Sequence, residues 1–262
     1  MTTPPAIAAP ARHGKLYLVP CPLDFGCERQ MELQDSMPLG TLKVASRLQY
    51  WICENAKSAR AYLKRVNEIV PLGHALQSLQ MQELPRDVQK KGDHNGSFDA
   101  RPLLAPALDG HDVGLVSEAG MPAVADPGSS VVRAAHELEI QVVPLTGPVS
   151  LLLALAASGL NGQSFAFVGY LPQDSAQRSQ RVRELESLAL RTGQTQLFIE
   201  TPYRNAAMLQ TLLQTLQHNT RLSVASGLTL AHGSCHSDSI KNWRKKTAAL
   251  DNSTPAVFAL GR

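Results

Sequence analysis

The sequence predicts an α/β protein of two units, a mainly parallel sheet followed by a mixed one, with a ligand cleft between them. Three observations carry this. Short apolar runs alternate with roughly 10–15-residue segments of helical spacing through the first half, the pattern of βαβ units. Beyond the turn at Thr146, Gly147 and Pro148 the strands come closer together, as in a mixed sheet. Several apolar runs end in loops of Gly, Pro and small residues, which a parallel sheet gathers on one edge. The chain has 262 residues, 44% hydrophobic and 18% charged, enough for one large or two modest domains with a buried core.

The elements follow in order. Residues 15–20 form a short apolar strand stopped by Pro20 and Pro22, and 39–48 have helical spacing. Residues 49–53 read as a second strand and 55–66 as a helix. The polar, glycine-containing stretch 82–97 reads as a mobile loop. Residues 100–108 are helical despite Pro102 and Pro106, and 113–117 are a strand. A helix restarts at Asp126, an N-cap with Pro127 at the first helical position, and runs with apolar residues at Val131, Val132, Ala135 and Leu138. Residues 141–145 are a strand around the β-branched pair Val142 and Val143, and 149–157 an apolar helix. Strands at 165–168 and 195–199 flank a charged helix at 177–190, and 205–217 are helical. Residues 221–225, 228–231 and 256–260 complete the strands. The expected division is a disordered tail over 1–13, one domain over 14–128 and another over 129–262.

Net charge is +3, compatible with a polyanionic partner without requiring one. No apolar run reaches the roughly 18 residues that span a bilayer, so no membrane partner is expected. The Ala- and Pro-rich start lacks a charged n-region and apolar core, so it reads as a tail and not a signal peptide. Cys21, Cys27, Cys53 and Cys235 include no C-x-x-C pair, so free thiols in a reducing cytoplasm are expected. His232, Cys235 and His236 lack a second ligand pair, so they read as a polar turn and no metal is expected.

The most telling stretch is 114–128. It begins as a short apolar strand and breaks into Ser117-Glu118-Ala119-Gly120-Met121-Pro122. Ala119, Gly120 and Ala123 carry almost no side chain, so a ligand can approach the backbone closely. The loop is neither G-x-x-x-x-G-K-[ST] nor G-x-G-x-x-G, which points to a ligand held by backbone groups and not by phosphates. An ordinary tight crossover loop would have similar composition. Leu18-Val19-Pro20-Cys21-Pro22, Pro144-Leu145-Thr146-Gly147-Pro148, Gly169-Tyr170-Leu171-Pro172 and Glu200-Thr201-Pro202-Tyr203-Arg204 each follow a predicted strand.

Together these fragments resemble the tetrapyrrole methylase superfamily, and within it the ribosomal RNA small-subunit methyltransferase I family. The likeness runs from about Lys15 to Leu260 and is strongest from Gly114 to Arg204. Residues 117–128 match S-D-A-G-T-P-x-x-x-D-P-G, 169–172 match G-F-L-P, and 200–204 match E-S-P-H-R. The resemblance implies two α/β domains paired into a homodimer, with S-adenosylmethionine bound in a folded shape. By position it implies cofactor contacts from Pro22, Ser117, Glu118, Ala119, Gly120, Pro122, Ser150, Tyr170 and Leu171, with Pro255 and Ala256 closing the adenine side. Such a ligand carries a sulfonium, an ammonium and a carboxylate but no phosphate, in keeping with the loop. Methyl transfer is an in-line displacement in which positioning supplies much of the rate, so no paired carboxylates or Ser–His–Asp set is required.

Departures fall on the acceptor side. The family's T-P-I-G-N-L is Cys21-Pro22-Leu23-Asp24-Phe25-Gly26 here, its A-E-D-T-R is Cys53-Glu54-Asn55-Ala56-Lys57, and its R-E-L-T-K is Ser226-Gly227-Leu228-Thr229-Leu230. Asp93, His94 and Asn95 match its D-H-N and are the substrate-binding candidates. Glu54 is a candidate general base or orienter, or a solvent-facing strand end. Arg204 is the other catalytic candidate, to hold a phosphate or carboxylate, or to form a structural ion pair. Glu118 faces cofactor or substrate, or is a solvated loop residue. Arg178, Arg181 and Arg183, with Lys241, Arg244, Lys245, Lys246 and Trp243, offer tracks for an RNA backbone with the indole stacking on a base. Solvated helix faces are the alternative. The reading is a cytoplasmic S-adenosylmethionine-dependent methyltransferase with RNA as a candidate partner. The alternatives are a non-catalytic cofactor- or RNA-binding module and a methylase of a small molecule such as a tetrapyrrole.

Overall fold

A computed structural model describes residues 13–24, 26–27, 29–93, 96, 98–246 and 250–262. Most of the expected tail over 1–13, with His94 and Asn95, lies outside the described residues. The chain divides into two compact units. One takes the described residues up to Pro22 together with Leu33–Gly147, and the other takes Leu23–Glu32 with Pro148–Arg262.

The first unit is built on strands β1 (Leu16–Val19), β2 (Tyr50–Cys53), β3 (Gln80–Glu83), β4 (Val113–Val116) and β5 (Val142–Pro144). They pair in the order β3-β2-β4-β1-β5, all parallel. Every residue of β4 is buried, because a central parallel strand is covered on both faces. Helices α1 (Leu39–Arg47) and α2 (Ala56–Ile69) cover one face, where Leu42, Ala45, Leu63 and Val66 pack with Trp51. Gly114 is required there, since a Cβ would meet the Trp51 ring at 2.6 Å. Asn55 starts α2 by accepting the Lys57 and Ser58 amides. The other face carries α3 (Arg86–Lys91), α4 (Ala105–Leu108) and α5 (Ser129–Glu137), whose Val88, Ala107, Val131 and Ala135 pack with Ile52 and Leu115.

The second unit has α6 (Ser150–Ser158), β6 (Phe165–Tyr170), α7 (Ser175–Thr192), β7 (Thr195–Glu200), α8 (Asn205–Thr215), β8 (Arg221–Ser226), β9 (Ser234–Ser239), α9 (Ile240–Trp243) and β10 (Ala256–Gly261). Its sheet runs β6-β7-β10-β8-β9, with β6 and β7 parallel and the remaining pairs antiparallel. The parallel-then-mixed expectation therefore holds. Leu185, Ala189, Leu209 and Leu212 of α7 and α8 cover one face over the stacked Phe198 and Phe258 rings. On the other face α6 lays Leu151, Ala154 and Leu155 over Leu197, Val257 and Ala259.

Several expectations are corrected. Residues 82–97 are not simply a loop, because they include the end of β3 and all of α3. Residues 228–231 turn instead of extending, with Gly227 and Thr229 at φ +60° and +72°, and the strand is the polar β9 that follows. The segment containing Cys235 and His236 is thus a strand and not a polar turn. Residues 100–108 are a 3₁₀ turn followed by the single turn of α4. Helix α5 begins at Ser129 with Gly128 as N-cap, not at Asp126, because Ala123 and Ala125 at φ +64° and +63° hold the preceding chain in a loop. The units part after Gly147 and not after Gly128. Both α5 and β5 belong to the first unit, α5 through its core side chains and β5 through its pairing with β1.

Candidate functional site

Because the first sheet is all parallel, the loops after β1, β2 and β4 leave from one edge. The loops after β1 and β4 are tied together there. The Cys21 amide donates to the Gly120 carbonyl at 2.8 Å, and the Gly120 amide donates to the Cys21 carbonyl at 3.0 Å. Gly120 adopts φ +72°, a conformation that glycine reaches without strain. Its amide and carbonyl both bond to Cys21, so it ties the loops together and adds no side chain to the edge. Pro22, Ser117 and Pro122 are buried around it, and Glu118 and Ala119 are half-buried.

Three carboxylates gather on this edge. The Glu118 amide donates to Glu54 Oε1 at 3.4 Å, and the Ser58 hydroxyl donates to Glu118 Oε1 at 2.9 Å. Burial raises the Glu54 pKa, and the Glu118 charge adds to that, against the hydrogen bonds from the Glu118 amide and the Ser117 hydroxyl. Asp126 is pushed up to about 7 by burial and by the charges of Glu54 and Glu118. Asp126 is the functional candidate that sequence reasoning missed, since its position suggested only a helix cap. The D-P-G ending of the loop was visible, but nothing local indicated that Glu54, from the loop after β2, lies beside it with Glu118. The loop that carries it holds two alanines at positive φ, backbone strain of about 1 kcal/mol or more each, of the kind that clusters at functional sites.

Asp93, a substrate-binding candidate, is buried against the start of α5. Its Oδ2 accepts the Gly128 and Ser130 amides at 3.1 and 2.8 Å and the Ser130 hydroxyl at 2.5 Å, while Oδ1 accepts the Ser129 hydroxyl at 2.7 Å. The Arg133 guanidinium donates to its carbonyl at 3.1 Å. Burial alone would raise its pKa. The hydroxyls of Ser130 and Ser129 and the two amides outweigh burial and hold the carboxyl below its ordinary value.

In the second unit, Ser150 opens α6 and the Tyr170 ring is 57% exposed at the end of β6. Leu171 and Ala256 point into the core, and Pro255 is exposed, its carbonyl accepting the Gly227 amide. The Arg204 guanidinium is bound to Glu200, whose Oε1 accepts Nη2 at 2.7 Å and Nε at 3.0 Å. That is the ion-pair alternative for Arg204. Several residues of the basic stretches are tied down as well. The Trp243 indole is buried and donates to the Leu222 carbonyl at 2.8 Å, so it cannot stack on a base. Arg244 donates to the Leu213 and Leu216 carbonyls, Arg178 to Thr211 and Gln173, and Lys246 pairs with Asp238 at 3.1 Å. His236 packs edge-on against Trp243 with ring centroids 4.6 Å apart. Among the described residues no group of three or more His, Cys, Asp and Glu is placed to hold a metal ion. No helix among them is long and apolar enough to cross a membrane.

A family profile described as Tetrapyrrole (Corrin/Porphyrin) Methylases matches residues 41–240. The chain is similar to a protein named ribosomal RNA small subunit methyltransferase I from Micromonospora olivasterospora, 32% identical over 206 residues, covering 79% of this chain and 57% of that one. It is similar to the protein of the same name from Vibrio cholerae, 36% identical over 137 residues, covering 52% of this chain and 46% of that one. The chain thus spans about half the length of the curated relatives it matches. A crystal structure of uroporphyrin-III-C-methyltransferase from Thermus thermophilus aligns over 95% of this chain and 94% of that one, at 17% identity and a TM-score of 0.48.

Proposed function

The chain belongs to the tetrapyrrole methylase family, and on that premise we propose that it is an S-adenosylmethionine-dependent methyltransferase acting on RNA. The observation that carries this reading is the carboxylate group Glu54, Glu118 and Asp126 beside a loop of small residues. These residues fit the cofactor. Its sulfonium and ammonium bring two positive charges to three crowded carboxylates, and Ala119, Gly120 and Ala123 allow close approach. Ser117, Glu118, Ala119 and Pro122, with Pro22, are the residues proposed to hold it. Bound S-adenosylmethionine supplies an electrophilic methyl group.

The chain's own residues do the rest. Glu54, with its pKa raised by burial, accepts the proton of the acceptor hydroxyl as a general base. Ser58 and Ser117 orient the Glu118 and Glu54 carboxylates through their hydroxyls. The acceptor side departs from the ribosomal pattern at Lys57 and at 226–230, so the proposed RNA site differs from that of the small-subunit enzymes. A site that lacks an acceptor's hydrogen-bonding partners discriminates against that acceptor. The test is mass spectrometry of total RNA from cells with and without the protein, joined to complementation of a strain lacking the small-subunit enzyme. A methylated nucleotide lost with the protein supports the reading. Full restoration of 2′-O-methylation in that strain overturns the separate acceptor site.

A cytoplasmic homodimer is part of the proposal. Leu152 and Leu153 of α6 are 51% and 39% exposed. Phe165 and Phe167, also exposed, share the α6 face of the sheet because they sit in register with Thr195 and Leu197. A second copy seated on this apolar surface would bury it. Light scattering that finds only a monomer near 28.3 kDa contradicts the pairing.

A further inference from the structure

We infer that Asp93 is a positioning residue, a buried latch that holds the 117–128 loop in its ligand-binding form without touching substrate. The inference rests on the proposed cofactor reading and adds a role to it. Both ends of the loop are fastened. The bridge between Gly120 and Cys21 fixes the start. The end turns through Gly128 at φ +130°, where a Cβ would stand 3.0 Å from the Leu115 side chain. No side chain of the N-cap itself serves the first amides of α5, since Gly128 has none. Asp93, more than thirty residues earlier in the chain, supplies the missing acceptor to Gly128 and Ser130.

Four donors on one carboxylate leave it little capacity for a substrate. What it can do is set where the loop ends. Between its two fastened points the chain keeps Ala123 and Ala125 at positive φ, a form that persists only when its surroundings impose it. Release of the latch lets that segment relax, and the cofactor must then reorder it on binding.

The geometry gives a graded test. An asparagine at 93 can present its carbonyl oxygen to the two amides and its NH₂ to Ser129, whose hydroxyl also accepts. Asp93→Asn should therefore bind S-adenosylmethionine within about threefold of wild type, and Asp93→Ala, which leaves two buried amides unpaired, should bind about tenfold more weakly or worse. Calorimetry with S-adenosylmethionine on the full chain reads both. Turnover of Asp93→Ala at saturating cofactor should stay within about threefold of wild type, so that the loss appears in KM. Equal cofactor affinity in wild type and Asp93→Ala overturns the latch, as does an Asp93→Asn that binds cofactor normally yet turns over as poorly as the alanine variant. A wild type that binds no S-adenosylmethionine overturns the functional reading itself. Should Asp93→Ala fail to fold, amide exchange in the wild type decides: slow exchange at Gly128 and Ser130 without cofactor supports the latch, and fast exchange overturns it.

Discussion

In the first unit, Glu54, Glu118 and Asp126 crowd one edge of the sheet, where burial and neighbouring charge raise the pKa of Glu54 and Asp126. In the second unit, several charged groups are matched: Arg204 closes on the buried Glu200, Arg244 caps two carbonyls, and Lys246 pairs with Asp238. A matched charge gains stability from its partner and has little left for a ligand, whereas a crowded group of like charges destabilises the fold and is relieved by a cation. In the sequence the basic stretches read as candidate RNA tracks or as solvated helix faces, and in the structure several of their side chains are held by neighbours.

This contrast can be broken at either end. The largest expected effect is in the second unit. Arg204→Met leaves the Glu200 carboxylate buried without its cation and should cost about 3 kcal/mol or more in urea unfolding. A loss under about 0.5 kcal/mol, typical of surface pairs, would mean that the pair is not structural. Next is Glu54→Gln, which should lower kcat about 100-fold while cofactor affinity falls far less. Equal losses in affinity and turnover would move Glu54 from base to cofactor contact.

A smaller effect separates the two kinds of charge by pH. Asp126 holds its proton in the folded chain up to about 7, while the unfolded chain releases it near the ordinary carboxylate value of about 3.9. Between these values the native state binds more protons, so this group's contribution falls as pH rises and is flat above. In urea unfolding, Asp126→Asn should thus gain stability over wild type as pH rises from 4 to 8 and show little difference near pH 4. Asp238, held down at about 2 by Asn242, Lys246 and the Ser239 amide, gives no such alkaline gain when changed to Asn. The smallest effect concerns RNA. Lys241 and Lys245 are exposed, and changing both to Ala should reduce the salt slope of RNA binding by about 2 at most.

The parts that were legible in the sequence share a physical cause. Val113–Val116 and Leu16–Val19 are interior parallel strands, and burial on both faces makes them continuous apolar runs. Gln80–Glu83 and Ser234–Ser239 are each one edge strand of their sheet, and their polar side chains gave no alternation to read. The loop at 117–122 was legible from its small residues, but the grouping of Glu54, Glu118 and Asp126 depends on two loops that only the sheet order makes neighbours. The hydrogen-bond partners of Asp93 were hidden for the same reason. Its partners lie at 128–130, and the motif that contains it carries no sign of them.

The central claim is that the acidic edge of the first unit is the working end of a methyltransferase. It is tested most directly by transfer of tritiated methyl from S-adenosylmethionine to total RNA from cells lacking this protein. Wild type should label RNA, and Glu54→Gln, folded and still binding cofactor, should label it about 100-fold more slowly. Cofactor binding by the wild type with no label in RNA would contradict the claim, and label that is equal for both proteins would remove Glu54 and its neighbours from the chemistry.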